Sequence, residues 1–166
     1  MHELLPLTVG WPLDRSLPEP ILDLWRSPPP VTRWVPEVSY RALKLAMLDA
    51  QGLSDDEALE RMRSNYRRLI RGPLYGALFS LLGAERMIRG APSRWTQFHR
   101  GTSLDIEAIG PRSATVELRT PHPILFGLVG ELQVLSFRVI LERAHADGVR
   151  FDTEPTDRGF RYSIAW

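Results

Sequence analysis

Four histidines are the side chains of this 166-residue sequence best suited to metal binding or to acid–base catalysis. His2, His99, His122 and His145 lie too far apart to form the i, i+4 pair of a zinc-binding helix. The sequence has no cysteine, nucleophile elbow, phosphate-binding loop or dinucleotide fingerprint, and His122 has no recognisable catalytic partner nearby. We therefore predict no catalytic residue, no metal site and no enzymatic activity. His99 and His122 are kept as weak functional candidates.

Arginine is the other residue type that could carry a binding function. Nine arginines but only one acid, Glu85, fall between positions 61 and 100. Such an excess could attract phosphate, nucleic acid, anionic lipid or an acidic partner, and the aromatic residues among the arginines could stack on bases. A solvated helix face is the favoured alternative, because the whole sequence has one lysine and a net charge of only +1. The candidate patch consists of Arg61, Arg67, Arg68, Arg71, Arg86, Arg89 and Arg94.

The segment before residue 100 is predicted to be helical. Apolar residues recur at three- and four-residue spacing from about 38 to 51, and Ser54 with Glu57 forms the capping-box signature of a helix that reaches Arg71. Further helices are predicted over Leu74–Leu82, which is almost wholly apolar, and over Ala84–Arg89, before a break at residues 90–92. Residues 36–100 thus form a helical half.

After residue 100 the apolar residues alternate with polar ones, which is typical of strands with one buried face. Leu104, Ile106 and Ala108 precede a turn at 110–111, and a second alternating run follows it. A helix of about twenty residues, ended by Gly148, separates this pair from a second pair over 149–153 and 160–164. The predicted fold class is α+β, with N-terminal helices packed on a four-stranded, mainly antiparallel sheet of order β-β-α-β-β over 101–166.

A proline-rich segment precedes this domain. Residues 1–36 hold eight of the fourteen prolines, together with tryptophans and leucines, so we expect an extended, ordered arm. Residues 1–35 are predicted to pack on their own domain, which is a single α+β domain over 36–166, or on a second subunit. The N-terminus lacks the features of a signal peptide, and a cytoplasmic location is expected.

The longest apolar stretch, residues 120–148, raises the question of a membrane segment. Glu131, Arg138 and Glu142 interrupt it on one helical face, so a membrane-spanning helix is not expected. The opposite stripe suits a core helix that lies across a sheet. This stripe, with two aromatic residues from the helical half, is the candidate wall of a ligand pocket: Leu128, Leu132, Leu135 and Val139, with Trp95 and Phe98.

Several of these features together resemble a known superfamily. The turn at 110–111, the long helix with Gly127 and Gly130 at its start, Gly148 and the closing strand at 164–166 resemble the haem-NO-binding, vinyl-reductase-type and TRAPP-like ligand-binding domains. A nearer resemblance, over about 36–166, is to a paralogous family of uncharacterised myxobacterial proteins. Its members share a capped helix like 55–71, a segment like Leu78–Arg86 and an aromatic-rich segment like Trp95–Gly101.

The resemblance also implies what haem binding would require. Haem-NO-binding domains would need a proximal histidine in the helical half and a Tyr-x-Ser-x-Arg motif for the haem propionates. The corresponding strand end here is Leu118-Arg119-Thr120-Pro121-His122, without that motif, and His99 is a weak candidate ligand. We therefore expect no cofactor, and haem in particular is not expected.

Hypotheses from different functional classes remain. The leading one is a non-catalytic protein-interaction or regulatory module in bacterial signalling or cell organisation, which forms a homodimer and binds a partner protein. The alternative is a sensor domain that holds a small apolar ligand or an acyl chain between helices and sheet. A second alternative, disfavoured by the charge balance, is binding of phosphate, nucleic acid or anionic lipid through the arginine-rich segment.

Overall fold

The computed structural model describes residues 17–30, 32–72, 82–120 and 127–166. The chain divides into two compact units, Met1–Asn65 and Tyr66–Trp166, and the boundary falls within a helix. Most of the predicted arm over 1–35 lies outside the described residues, so its packing stays a prediction. The assignment of residues 36–166 to a single domain likewise stays a prediction.

Within the described part of the first unit there are two helices and the start of a third. They are α1 (Glu19–Arg26), α2 (Glu37–Asp49) and α3 (Asp55–Arg71), and α1 packs on α2. Residues of the apolar stripe predicted for α2, such as Leu43 and Met47, are fully buried. The predicted capping box begins α3: the Ser54 backbone N–H donates to Glu57 Oε2 at 2.9 Å, and Ser54 Oγ accepts from the Glu57 N–H at 3.4 Å. These bonds satisfy donors that a helix start leaves unpaired.

The described residues of the second unit form the rest of α3 and three further helices, α4 (Ala84–Arg89), α5 (Ala91–Phe98) and α6 (Gly127–Arg143). The predicted helix over Leu74–Leu82 lies outside the described residues, except for its last residue. The break predicted at residues 90–92 is present at Gly90, which separates α4 from α5, and α5 begins directly after it at Ala91. Pro92 occupies the first turn of that helix, where a missing N–H costs nothing and the fixed φ suits a helix.

The long helix α6 ends earlier than predicted. It stops at Arg143 rather than near Gly148, because His145 adopts a left-handed φ of 60°. The Ala146 N–H then donates to the Leu141 carbonyl oxygen at 3.1 Å, which is the six-to-one bond of a Schellman cap. Glycine is the usual residue at such a position, so the sequence pattern did not indicate it.

The four strands form one antiparallel sheet in the order β1-β2-β4-β3. Their bounds are Ser103–Gly110 for β1, Ser113–Arg119 for β2, Arg150–Thr156 for β3 and Gly159–Ala165 for β4. The α+β class and the β-β-α-β-β order are therefore confirmed. The register shifts between Ile106 and Ala108, so Ala108 is exposed and Ile109 lies opposite the buried Ala114. This bulge overturns the burial predicted for Ala108, since one extra residue reverses the alternation beyond it.

The sheet has one apolar and one charged face. Val116 pairs with Tyr162 and Leu118 with Phe160, and Val116, Leu118 and Tyr162 are buried. The neighbouring positions carry the charged residues of the other face. α4 and α5 contact β1, and α6 contacts β3. Among the described residues, no helix is long and apolar enough to cross a membrane.

Candidate functional site

A cavity of about 260 Å³ lies in the second unit, where three helices face the apolar side of the sheet. Its helical wall consists of Met87, Ile88, Ala91, Arg94, Trp95 and Phe98, followed by His99, and of Gln133, Ser136, Phe137, Ile140 and Leu141 on α6. The sheet contributes Leu104, Val116, Tyr162 and Ile164. Most of this surface is apolar, and no aspartate or glutamate is among the described residues that line it.

Aromatic rings link the elements around the cavity. The His99 ring stacks on Trp95, with centroids 3.8 Å apart and planes at 11°. Trp95 also meets Phe137 of α6 at 6.0 Å, and Phe137 meets Tyr162 of β4 edge to face at 5.6 Å. Trp95 is buried, and its Nε1–H donates to Thr102 Oγ1 at 2.9 Å, which satisfies the indole donor. These contacts join α5, α6 and the sheet into one wall.

Two neutral polar side chains on α6 bond to each other at the cavity. Gln133 Nε2 donates to Ser136 Oγ at 3.2 Å, and Ser136 Oγ in turn donates to the backbone carbonyl oxygen of Gln133 at 2.7 Å. Both residues belong to the cavity wall. Their mutual bonds place a small polar spot in a mostly apolar enclosure, an arrangement that ligand pockets use to orient a molecule.

Arg94 is the one charged residue on the described part of the wall. Its Nη1 lies 3.9 Å from Met87 Sδ, a weak acceptor. The guanidinium also covers Gly90, where an added Cβ would lie 2.7 Å from Nη1. No carboxylate of the described residues forms an ion pair with Arg94.

The histidine candidates have different positions. His99 follows α5 in an extended conformation and lines the cavity. His122 lies outside the described residues, so its role stays a prediction. Within the described parts of the chain, no group of three histidine, aspartate or glutamate side chains is placed to hold a metal ion.

The predicted arginine patch is distributed over both units. Arg61 belongs to the first, and Arg67, Arg68, Arg71, Arg86, Arg89 and Arg94 belong to the second. Arg67 pairs with Glu142 of α6 at 3.0 Å and Arg89 with Glu85 at 2.8 Å. Arg94 faces the cavity rather than a surface patch. Whether the others bind an anionic partner stays a prediction.

The aromatic candidates Trp95 and Phe98 lie on the cavity wall, but the predicted apolar stripe does not. Leu132, Leu135 and Val139 are buried and Leu128 is half-buried, yet none of the four lines the cavity. The adjacent face of α6 does so, through Gln133, Ser136, Phe137 and Ile140. Gln133 and Ser136, two polar residues about one turn apart in an otherwise apolar part of the helix, are the sequence signal that could have indicated this face.

Comparison with known proteins gives the fold a precedent. No protein-family model and no curated protein sequence matches the chain. Solved structures do match. A mutant H-NOX protein from K. algicida, in the unliganded Fe(II) form, has a TM-score of 0.61 and 11% identity over 99% of this chain and 92% of its own. A structure titled for modulation of heme redox potential by porphyrin distortion has a TM-score of 0.58 and 10% identity over 99% and 87%.

This likeness corrects one expectation and supports another. The prediction that no cofactor is expected, and haem least of all, is contradicted, because the matching folds are those of haem proteins. That prediction depended on a missing sequence motif, whereas a fold persists after such motifs have diverged. Nothing in the comparisons bears on the narrower myxobacterial resemblance. The distant similarity to the haem-NO-binding superfamily is supported, and at this identity it concerns the fold.

Proposed function

We propose that the second unit is a sensor domain that binds a ligand with a large apolar surface in the cavity between α4, α5, α6 and the sheet. The observation that carries the proposal is the cavity itself. Its volume is about 260 Å³, and its wall combines aromatic and aliphatic side chains with a few polar groups, which is the usual composition of a small-molecule site. No catalytic step is part of the proposal.

The fold comparison favours this sensor over the protein-interaction module. The two solved structures described above come from haem proteins, and haem binding is ligand binding within a fold of this kind. A fold likeness at 10–11% identity does not transfer function, so the support comes from the likeness and the cavity together.

Haem is the first ligand to test, because the cavity wall includes a histidine, a side chain that can coordinate haem iron. His99 is the one imidazole on the described wall, and histidine is a common axial ligand of haem iron. When bound, haem would supply an iron centre for a diatomic gas, and the residues of this chain would hold and shield it. The cavity is smaller than the roughly 300–1,000 Å³ of typical ligand pockets. A porphyrin therefore requires side chains at the mouth to move, such as Phe98, which is 61% exposed.

Two measurements on the whole chain test the proposal. Haemin is titrated into the purified protein and followed by its Soret absorption, and a denatured sample is extracted and analysed by mass spectrometry for a co-purified molecule. We expect a saturable one-to-one haemin complex in wild type. His99→Ala should change its spectrum, and the control His145→Ala, which replaces an exposed histidine, should not.

The outcomes separate haem from the broader sensor hypothesis. If haemin does not bind but the extract contains a stoichiometric apolar molecule, haem is excluded and the sensor proposal stands. If haemin does not bind, the extract is empty and neutral aromatic probes do not bind, the sensor proposal is wrong.

A further inference from the structure

Arg94 presents a charge to a cavity that holds no opposite charge. The described wall contains this one guanidinium and no carboxylate. Its Nη1 lies 3.9 Å from the thioether sulfur of Met87, which satisfies a guanidinium poorly. On the preceding helix, by contrast, Arg89 reaches Glu85 at 2.8 Å. The protein therefore supplies a carboxylate to the exposed arginine and none to the one at the cavity.

A half-buried guanidinium beside apolar side chains gains from an anionic partner. Its planar array of N–H groups matches a carboxylate, and a charge-assisted hydrogen bond is about twice as strong as a neutral one. Leaving a partly desolvated charge without such a partner costs free energy. A ligand that brings a carboxylate to Arg94 would remove that cost and would be selected over a neutral ligand of the same shape.

We infer that the ligand of this cavity is a carboxylate on an apolar body, with the carboxylate paired to Arg94 and the body packed against Trp95, Phe137 and Tyr162. This inference rests on the proposed function, since it concerns the same cavity. The carboxylate could belong to a free aromatic or aliphatic acid or to a propionate of haem. Both sources share the chemistry that Arg94 recognises.

The volume of the cavity sets the size of the test ligand. An engineered cavity of about 150 Å³ holds benzene, and this one is about 260 Å³. A fused two-ring acid is therefore a suitable probe. 2-Naphthoic acid and 2-naphthamide have the same apolar body and differ in the anionic group, which makes them a matched pair.

The experiment measures the affinity of both compounds by isothermal titration calorimetry for wild type, Arg94→Gln, Arg94→Lys and Arg89→Gln. Wild type and the Arg89→Gln control should bind the acid about tenfold or more tightly than the amide. Arg94→Gln should bind the two equally by weakening the acid alone, and Arg94→Lys should keep part of the preference. Thermal unfolding of each variant shows that it is folded.

The results distinguish failure of this inference from failure of the proposed function. Equal affinity of wild type for the acid and the amide, or an acid preference that persists in Arg94→Gln, overturns the inference while the cavity remains a binding site. To identify the source of the carboxylate, haemin and haemin dimethyl ester are compared in the same variants. If Arg94 is needed for tighter binding of haemin than of its dimethyl ester, but not for any preference between the naphthoic acid and its amide, the carboxylate is assigned to a haem propionate. If wild type binds none of the four compounds, this inference is wrong; the proposed function is wrong as well if, in addition, the extract is empty and neutral aromatic probes do not bind.

Discussion

Arginines on the two sides of the sheet have different partners: carboxylates on the outer face and a thioether on the cavity side. On the outer face, Arg119 Nε lies 2.6 Å from Glu117 and its Nη1 3.5 Å from Asp105. Arg161 reaches Glu107 at 2.8 Å and Glu154 at 3.4 Å. Hydrogen bonds and charge from Glu117 and Glu107 raise the pKa of Arg119 and Arg161, respectively. On the cavity side, Arg94 meets a thioether.

This difference teaches where a partner from outside the chain is needed. Glu117 lies on the same strand as Arg119, Asp105 and Glu154 lie on strands next to their arginines, and Glu107 of β1 reaches Arg161 of β4 across β2, so the sheet itself supplies the partners of both arginines. The cavity has aromatic rings, two mutually bonded polar groups and a cation without its own anion. Arg119 and Arg161 therefore have carboxylate partners within the sheet, whereas a carboxylate for Arg94 would have to come from a ligand.

The largest expected loss of stability comes from a glycine substitution at the start of β4. Gly159 begins β4 at a φ of +149°, and an added Cβ would lie 2.1 Å from the Leu118 carbonyl oxygen. Gly159→Ala should therefore lower the free energy of unfolding by roughly 3 kcal/mol or more. Gly52→Ala is the control, since its φ is also positive but the added Cβ meets nothing within 4 Å. It should cost about 1–2 kcal/mol. Equal losses in denaturant unfolding would contradict the proposed clash.

Truncation of the aromatic wall should have an effect of comparable size. Trp95→Ala deletes a buried ring that contacts His99 and Phe137, and we expect a loss of about 3–5 kcal/mol in unfolding free energy. Phe98→Ala, on the same wall but 61% exposed, should cost much less while still weakening ligand binding. Urea unfolding and a probe titration measure the two effects. A Phe98→Ala variant as unstable as Trp95→Ala would contradict this account of the wall.

The outer face should respond weakly and with a dependence on salt. Glu107→Gln removes a carboxylate from Arg161, but both side chains are partly solvated. The resulting loss should be small beside that of Trp95→Ala and should shrink further in high salt, because exposed ion pairs are screened. Unfolding at low and high ionic strength checks this. A large loss that salt does not change would mean that this pair is shielded from solvent.

The capping box lies on neither face and provides a comparison for an exposed charged contact. The Ser54 backbone N–H and then its hydroxyl lower the pKa of Glu57 below its ordinary value of 4.5. The folded pKa is therefore below the unfolded one, so the stabilisation is present above pH 4.5 and is lost as the pH falls through the folded pKa. Wild type should lose slightly more stability than Glu57→Gln between pH 7 and pH 3. Identical losses would show that the carboxylate does not stabilise the helix start.

Local rules sufficed for much of the fold. The Ser54–Glu57 signature marked the start of α3, and period-two alternation around residues 110–111 marked the first hairpin. The misses have local causes that such rules describe poorly. A bulge after Ile106 reverses burial, and His145 occupies a position that glycine usually holds.

The candidate site was predictable only in part. Trp95 and Phe98 were identified because aromatic residues in a helical segment suit a pocket, and both line the cavity. The isolation of Arg94 could not be read from the sequence, because it depends on which carboxylates the fold brings near. The face of α6 was missed by one position along the helix, since apolar residues occur on more than one of its faces.

The central claim is that the cavity binds an apolar ligand, and a matched pair of filling substitutions tests it directly. Ser136→Trp fills the cavity, whereas Ser163→Trp places the same side chain on the exposed outer face of β4. The measurement is the fluorescence titration of both variants and wild type with N-phenyl-1-naphthylamine, with thermal unfolding as the check that each is folded. Saturable binding to wild type and Ser163→Trp, with loss in Ser136→Trp, is the predicted result. Absent binding to wild type, or undiminished binding to folded Ser136→Trp, would contradict the claim.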